Sequence, residues 1–178
     1  KPQHLKHLIQ AILSETYIPR LLLSSLEPWD LDETFFELWS DSRLCRHLHL
    51  PLQSGSGATL RRMARKTTPT SYASLLETAR RAIPKVAITT DIITGFPGES
   101  QAELEQSLVF VKTMHFAGGH VFTYSPRPGT AAARMPDQVA QEVRKERNAL
   151  MRTALKVSEQ NYRAAFIGQV LPVLWESA

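Results

Sequence analysis

HLHLPLQSGSG, residues His47 to Gly57, alternates polar and apolar side chains as far as Gln53 and then continues in glycine and serine alone. Strict alternation is the period of a β-strand, whose successive side chains point to opposite faces. The pattern predicts that Leu48, Leu50 and Leu52 pack against helices. His47, His49, Pro51 and Gln53 then share the opposite face. The Ser-Gly run that follows can turn tightly and lets a backbone approach a ligand closely.

Outward from this strand, the chain repeats a rhythm of helix and strand. HLKHLIQAILSE (4–15) spaces Leu5, Leu8, Ile9 and Ile12 as an amphipathic helix. RLLLSSL (20–26), stopped by Pro28, reads as a buried strand. Leu31, Phe35, Leu38 and Trp39 give one helical face, and a helix is also expected from Ala58. TSYASLLETARRAI (70–83) places Tyr72, Leu75, Leu76, Ala79 and Ile83 on one side, ended by Pro84. VAITTDIITGF (86–96) is rich in β-branched residues and reads as a strand. Its two faces are Thr90, Ile92, Thr94 and Thr89, Asp91, Ile93, and periodicity does not say which faces inward. Ser100 with Glu103 forms a capping-box pattern, and Leu104, Leu108 and Val111 would face the core. Gly118-Gly119 breaks that helix before HVFTYS (120–125), the fourth strand. A long helix is predicted from about Asp137 to Phe166, and QVLPVLWE (169–176) resembles one further strand.

Four helix–strand alternations imply right-handed parallel βα units. The fold class is α/β, with four parallel units forming part of a barrel. An open doubly wound sheet is the alternative, although no Gly-x-Gly-x-x-Gly follows any strand. In parallel barrels the carboxyl ends of the strands carry the chemistry. Those ends read SLEP, PLQSGSG, TGFPGE and YSPRPGT, each rich in small, turn-forming residues.

Composition bounds the function. The chain has 178 residues, 43% of them apolar, enough for one real core. No run of about 18 uncharged apolar residues occurs, so no membrane span is expected. A single cysteine, Cys45, excludes an internal disulfide and a cysteine-only metal site, and fits a reducing, cytoplasmic setting. The net charge of +4 permits a nucleic-acid partner without requiring one. Arg61, Arg62, Arg65 and Lys66 form one basic group; Arg144, Lys145, Arg147, Arg152 and Lys156 form another. Both also read as solvated helix faces. The start at KPQH and the stop at LWESA read as a fragment.

His47-x-His49 is the spacing with which a barrel hydrolase holds zinc, but further ligands are needed. Asp91, His115 and His120 are the nearby candidates; His115 falls in a helix and His120 opens its strand. A metal-dependent barrel hydrolase is therefore one alternative, and a non-catalytic RNA-binding module is another. Histidines hydrogen-bonded inside a barrel are the plain structural reading.

HLHLPLQSGSG, LRRMAR, AITTDIITGFPGES and HVFTYSPRPGTAAARM, taken in order, resemble the methylthiotransferases of the radical S-adenosylmethionine superfamily. SSLEPWD (24–30) is most like the branch acting on threonylcarbamoyladenosine beside the tRNA anticodon. The isopentenyl-adenosine branch shares His-Leu-His but usually carries His-Pro where this chain has SLEP. The ribosomal-protein branch usually has aspartate at the place of His49. Gly57 and the Thr67-Thr68 pair depart from the family pattern, the latter replacing a basic-aromatic pair.

The resemblance implies a partial radical-SAM barrel over 1–135, a connecting helix over 136–167, and the start of a small RNA-binding β-domain over 168–178. It implies S-adenosylmethionine and two [4Fe–4S] clusters in a full-length enzyme, whose cysteine ligands this chain lacks, so that the chain alone is expected to be inactive. Gln53, Ser54 and Gly55 would hold the ribose or methionine moiety of the cofactor. Gly95, Phe96 and Pro97 would shape the adenine floor, and Tyr124 and Ser125 would offer backbone groups to the adenine edge. Substrate contacts would fall to Glu27, His49, Asp91, Arg61, Arg65 and Arg127, with ion pairs among them as the alternative. Partners implied are the tRNA anticodon loop and a reducing electron donor, with no membrane. An unpaired edge at 20–26 also invites edge-to-edge self-association.

Overall fold

In the computed structural model, residues 5–171 are described. Helix α1 (Leu5–Glu15) leads into an extended segment, and α2 (Glu33–Phe36) follows it. Strand β1 (His47–His49) precedes α3 (Gly57–Arg62) and α4 (Pro69–Ala82). Strand β2 (Ala87–Thr94), α5 (Gln101–Thr113), β3 (Gly118–Thr123) and α6 (Gln141–Ala164) complete the chain. The sheet is parallel throughout, in the order β1-β2-β3. This is the α/β architecture expected of part of a barrel.

One expected strand is not formed. Residues 20–26 run beside β1, tied to the sheet region by a bridge between Leu21 and Leu44 and a bond from Leu26 N to His49 O at 2.9 Å, without a continuous ladder among the described residues. Leu22 is 61% exposed, so the run lacks the two-sided burial that its apolar composition suggested. The helix expected through Trp39 is also broken. A 3₁₀ turn at Pro28–Asp30, α2 and a second 3₁₀ turn at Glu37–Ser40 replace it. Asp32 caps α2 by accepting from Phe35 N at 2.8 Å. The strand expected at 169–176 lies mostly outside the described residues.

The periodicity reading of β1 is borne out. Leu48, Leu50 and Leu52 are almost wholly buried. They meet Tyr72, Leu76 and Ala79 of α4, Leu104 and Val111 of α5, and Met151 and Leu155 of α6 in one core. In β2 it is Ile88, Thr90, Ile92 and Thr94 that face this core, which leaves Thr89, Asp91 and Ile93 on the open face. Thr90 is buried because its hydroxyl is used: it donates to Leu50 O at 2.9 Å and accepts from Leu52 N at 3.0 Å. Pro51 has no N–H to give, so the side chain of Thr90 stitches β1 to β2 where the ladder weakens. Tyr72 adds a bond to Leu50 O at 2.7 Å, and burial holds its phenol well above the usual tyrosine range.

Both caps on α5 form as expected: Glu103 N donates to Ser100 Oγ at 3.2 Å, and Ser100 N donates to Glu103 Oε2 at 2.9 Å. A side chain at Gly119 would collide with the Thr90 carbonyl, so glycine there lets β3 close on β2. Helix α6 lies across β2 and β3 and against α5, laying Met151, Ala154 and Leu155 on the core.

Candidate cofactor and substrate site

The carboxyl ends of the three strands lie side by side. Beyond β1 the chain keeps contact with β2 through Gln53 N to Asp91 O at 2.8 Å and Ile93 N to Gln53 O at 2.9 Å. Gln53 itself is in the left-handed region, at φ 70°, and is 9% exposed. A non-glycine residue there stores on the order of 1 kcal/mol of strain, a cost often found at ligand sites. Its side-chain amide bonds to none of the described residues, which leaves two donors and an acceptor for a ligand.

Ser54 and Gly55 are placed differently. The Ser54 hydroxyl lies 3.0 Å from that of Ser107 on α5 and accepts from Ser56 N at 3.2 Å. Gly55 N donates to Ser107 Oγ at 3.0 Å, and a Cβ on Gly55 would stand 2.8 Å from both Phe110 Cβ and Ser107 Cα. These two residues clamp the loop to α5. They set the position of Gln53.

At the end of β2, Gly95 turns with φ 72°, and its N–H donates to Glu99 Oε2 at 2.8 Å. Arg147 of α6 donates to the Glu99 carboxylate at 2.9 Å and to its carbonyl at 2.6 Å. Burial pushes the Glu99 carboxyl up, opposed by Gly95 N–H and Arg147. Arg144 packs where a side chain on Gly95 would lie, and donates to Tyr124 O at 2.6 Å. Since Tyr124 N donates to Thr94 O, both backbone groups of Tyr124 are used, and Ser125, exposed, keeps its own free. The rings of Phe96 and Tyr124 meet edge to face at 5.3 Å. The Tyr124 hydroxyl is buried without a partner, which points to something absent that would bond it. Pro97 is buried and gives its carbonyl to Arg62 Nε at 3.2 Å.

The open face carries a polar chain across all three strands. His47 Nε2 and His49 Nδ1 lie 3.1 and 2.9 Å from Thr89 Oγ1. His49 Nε2 is 3.2 Å from Asp91 Oδ2, and His120 Nδ1 is 3.3 Å from Asp91 Oδ1. Burial, then the neighbouring His49, hold the His47 imidazole below its usual range. His120 does not open its strand: β3 starts at Gly118, and the β2–β3 register pairs His120 with Asp91. The two histidines of His47-x-His49 thus converge on a threonine. Among the described residues no group of three or more His, Cys, Asp or Glu is arranged to hold a metal ion. The described residues therefore do not fit an iron–sulfur cluster, which needs thiolates.

Glu27 pairs with Arg65 at 3.5 Å, and Asp91 pairs with the histidines rather than with Arg127. Arg61 and Arg127 are exposed. The basic group on α6 divides: Lys145, Arg152 and Lys156 are solvated, whereas Arg147 is 8% exposed and serves Glu99. Arg62 likewise pairs with Glu103 at 2.5 Å. Sequence reasoning missed Glu99, Arg144 and Arg147 as parts of this site. The i, i+3 spacing of the two arginines on one helix face was the available signal.

Parallel strands with glycine-rich carboxyl ends, a free glutamine amide and an aromatic corner make up the candidate site. The chain belongs to the Radical SAM superfamily, whose profile matches residues 4–111. It is similar to the tRNA-2-methylthio-N(6)-dimethylallyladenosine synthase of Anoxybacillus flavithermus, 41% identical over 160 residues, covering 89% of this chain and 30% of the relative. The synthase of the same name from Syntrophotalea carbinolica is 34% identical over 172 residues, covering 96% and 39%. The chain thus spans well under half the length of these relatives. Among solved structures, coproporphyrinogen III oxidase (HemN) of Escherichia coli shares the fold with a TM-score of 0.61 at 18% identity, over 91% of this chain and 36% of that one.

Proposed function

We propose that the chain forms the cofactor-facing part of a radical S-adenosylmethionine tRNA methylthiotransferase. The similarity to synthases of that activity over 89% to 96% of the chain carries the reading. When bound, S-adenosylmethionine supplies the radical and methyl chemistry in such enzymes. Gln53 would hold its ribose or methionine part, Gly95, Phe96 and Pro97 its adenine face, and the Tyr124 hydroxyl and Ser125 backbone its polar edge. Cluster thiolates, a reducing donor and the second cluster would come from outside the described residues. With one cysteine, the chain alone is expected not to turn over. A cytoplasmic setting goes with a tRNA substrate.

The names of the relatives favour dimethylallyladenosine as the tRNA target. SSLEPWD favours threonylcarbamoyladenosine, and we keep that as the second reading. Mass spectrometry of tRNA nucleosides after deletion of the gene carrying this sequence separates them. Loss of the 2-methylthio group from one modified adenosine assigns that target, and loss from neither overturns both. In the full-length enzyme, Gln53→Ala is expected to weaken S-adenosylmethionine binding in calorimetric titration, and an unchanged affinity would count against the assignment.

A further inference from the structure

Beside Thr67, where the Thr67-Thr68 pair departs from the family pattern, the structure holds a cleft of about 450 Å³. Trp29, Leu31, Lys66, Thr67 and Glu33 are among its walls. Trp29 is 37% exposed. The Arg65 guanidinium lies 5.9 Å and the Lys66 ammonium 5.7 Å from its ring centroid. Arg65 also pairs with Glu27, whereas Lys66 has no acidic partner within ion-pair distance among the described residues. Thr67 is 7% exposed, and its hydroxyl is buried without a hydrogen-bond partner. The other carboxylate on the wall, Asp32, is taken up by Thr34 and by the N–H of Phe35.

We propose that this cleft receives one unpaired base of a single-stranded RNA loop, stacked on Trp29. The chemistry fits that occupant closely. An indole face offers a stacking platform to any base, and flanking cations meet the adjoining phosphates. The orphan Thr67 hydroxyl and the free Glu33 carboxylate offer a donor and an acceptor to a base edge. A buried hydroxyl with no partner is costly unless a ligand completes it. The cleft lies between the loop after residues 20–26, the turn after α3 and the face of α4 that carries Ser71, Ser74, Leu75 and Thr78. The proposal rests on the tRNA reading and adds to it where the RNA is gripped.

The test uses the whole chain and a fluorescently labelled anticodon stem–loop RNA, read by anisotropy. Trp29→Ala should weaken binding by about tenfold, the usual effect of losing one stacked base. Thr67→Val should weaken it several-fold while raising the melting temperature, since it removes an unpaired buried hydroxyl from the free protein. Lys66→Ala should flatten the salt dependence by about one phosphate contact. Circular dichroism verifies the fold of each variant. If Trp29→Ala and Thr67→Val bind the hairpin like the parent, the cleft assignment is wrong. A parent chain that binds no RNA at low salt, or binds a duplex of equal length as tightly, would also overturn it. The tRNA reading is decided separately by the nucleoside measurement, so the two can fail independently.

Discussion

Arg147 shows how one residue can join an element to a site. Its guanidinium is buried against Glu99, and Glu99 in turn holds the N–H of Gly95 at the turn after β2. Breaking a buried pair by removing one partner leaves an uncompensated charge, at a cost of about 3–5 kcal/mol. Arg147→Met should therefore lower the unfolding free energy by about that amount in urea titrations at pH 7. The carboxyl of Glu99 is already pushed up by burial, so the folded state binds more protons than the unfolded one. Stability in the variant should then fall as pH rises from about 4 to 7, because folding must keep Glu99 protonated. A pH-independent loss would contradict the assignment. His47 gives the opposite sign. Its imidazole is held below the usual histidine range, by burial first and His49 second, so the unfolded state binds the proton more readily. Lowering the pH below about 6.5 should cost stability that His47→Gln does not lose, measured by melting temperature across that window. Neither effect was legible in the sequence. Arg147 sat in a basic run that read as solvent-facing, and only packing of α6 on the sheet turned it inward.

At the scale of elements, local chemistry told most of the story and register told the rest. The two-residue period of HLHLPLQ placed three leucines on the core side, and the Ser100–Glu103 spacing announced the start of α5; both follow from short-range geometry. The sequence named Asp91 and His120 beside His115 as candidates to join the histidines, but their convergence with His49 depends on which residues of β2 and β3 lie opposite one another. The loop after β1 shows the same division. Its Ser-Gly composition marked a turn, but only the approach of α5 assigns Ser54 and Gly55 to a clamp rather than to a ligand. Gly55→Ala should cost about 1–3 kcal/mol, since its Cβ would press at 2.8 Å on Phe110 and on the α5 backbone. Ser100→Ala, which removes a cap at the far end of the loop's support, should cost about 1 kcal/mol. Denaturant midpoints compare the two. If Gly55→Ala proves the milder, the loop yields and does not hold Gln53 in its strained conformation.

Across the whole molecule, the sheet has one face sealed by helices and one face lined by His47, His49, Thr89, Asp91, His120 and Phe122. A barrel turns such a face inward. The described chain leaves His120 74% exposed at the side chain and Phe122 51% exposed, so this half-barrel presents polar and aromatic groups that the fold otherwise encloses. Its weakest border is the run from Arg20 to Leu26. Leu21 N donates to Arg43 O and Leu26 N to His49 O, but the amides of Leu22, Leu23, Ser24 and Ser25 find no carbonyl among the described residues. An apolar, extended run with unsatisfied amides is a template for another strand. Among the described residues the run has no neighbour on its outer side, so the same physics that broke the sequence expectation favours pairing between copies. The chain alone should show a sedimentation coefficient that rises with concentration in the tens of micromolar. Leu22→Lys, which places a charge on a side chain already 61% exposed, should return it to a monomer with little change in melting temperature. A concentration-independent monomer in the parent would show that the border is protected, and that the histidine-lined face is the surface whose covering matters more.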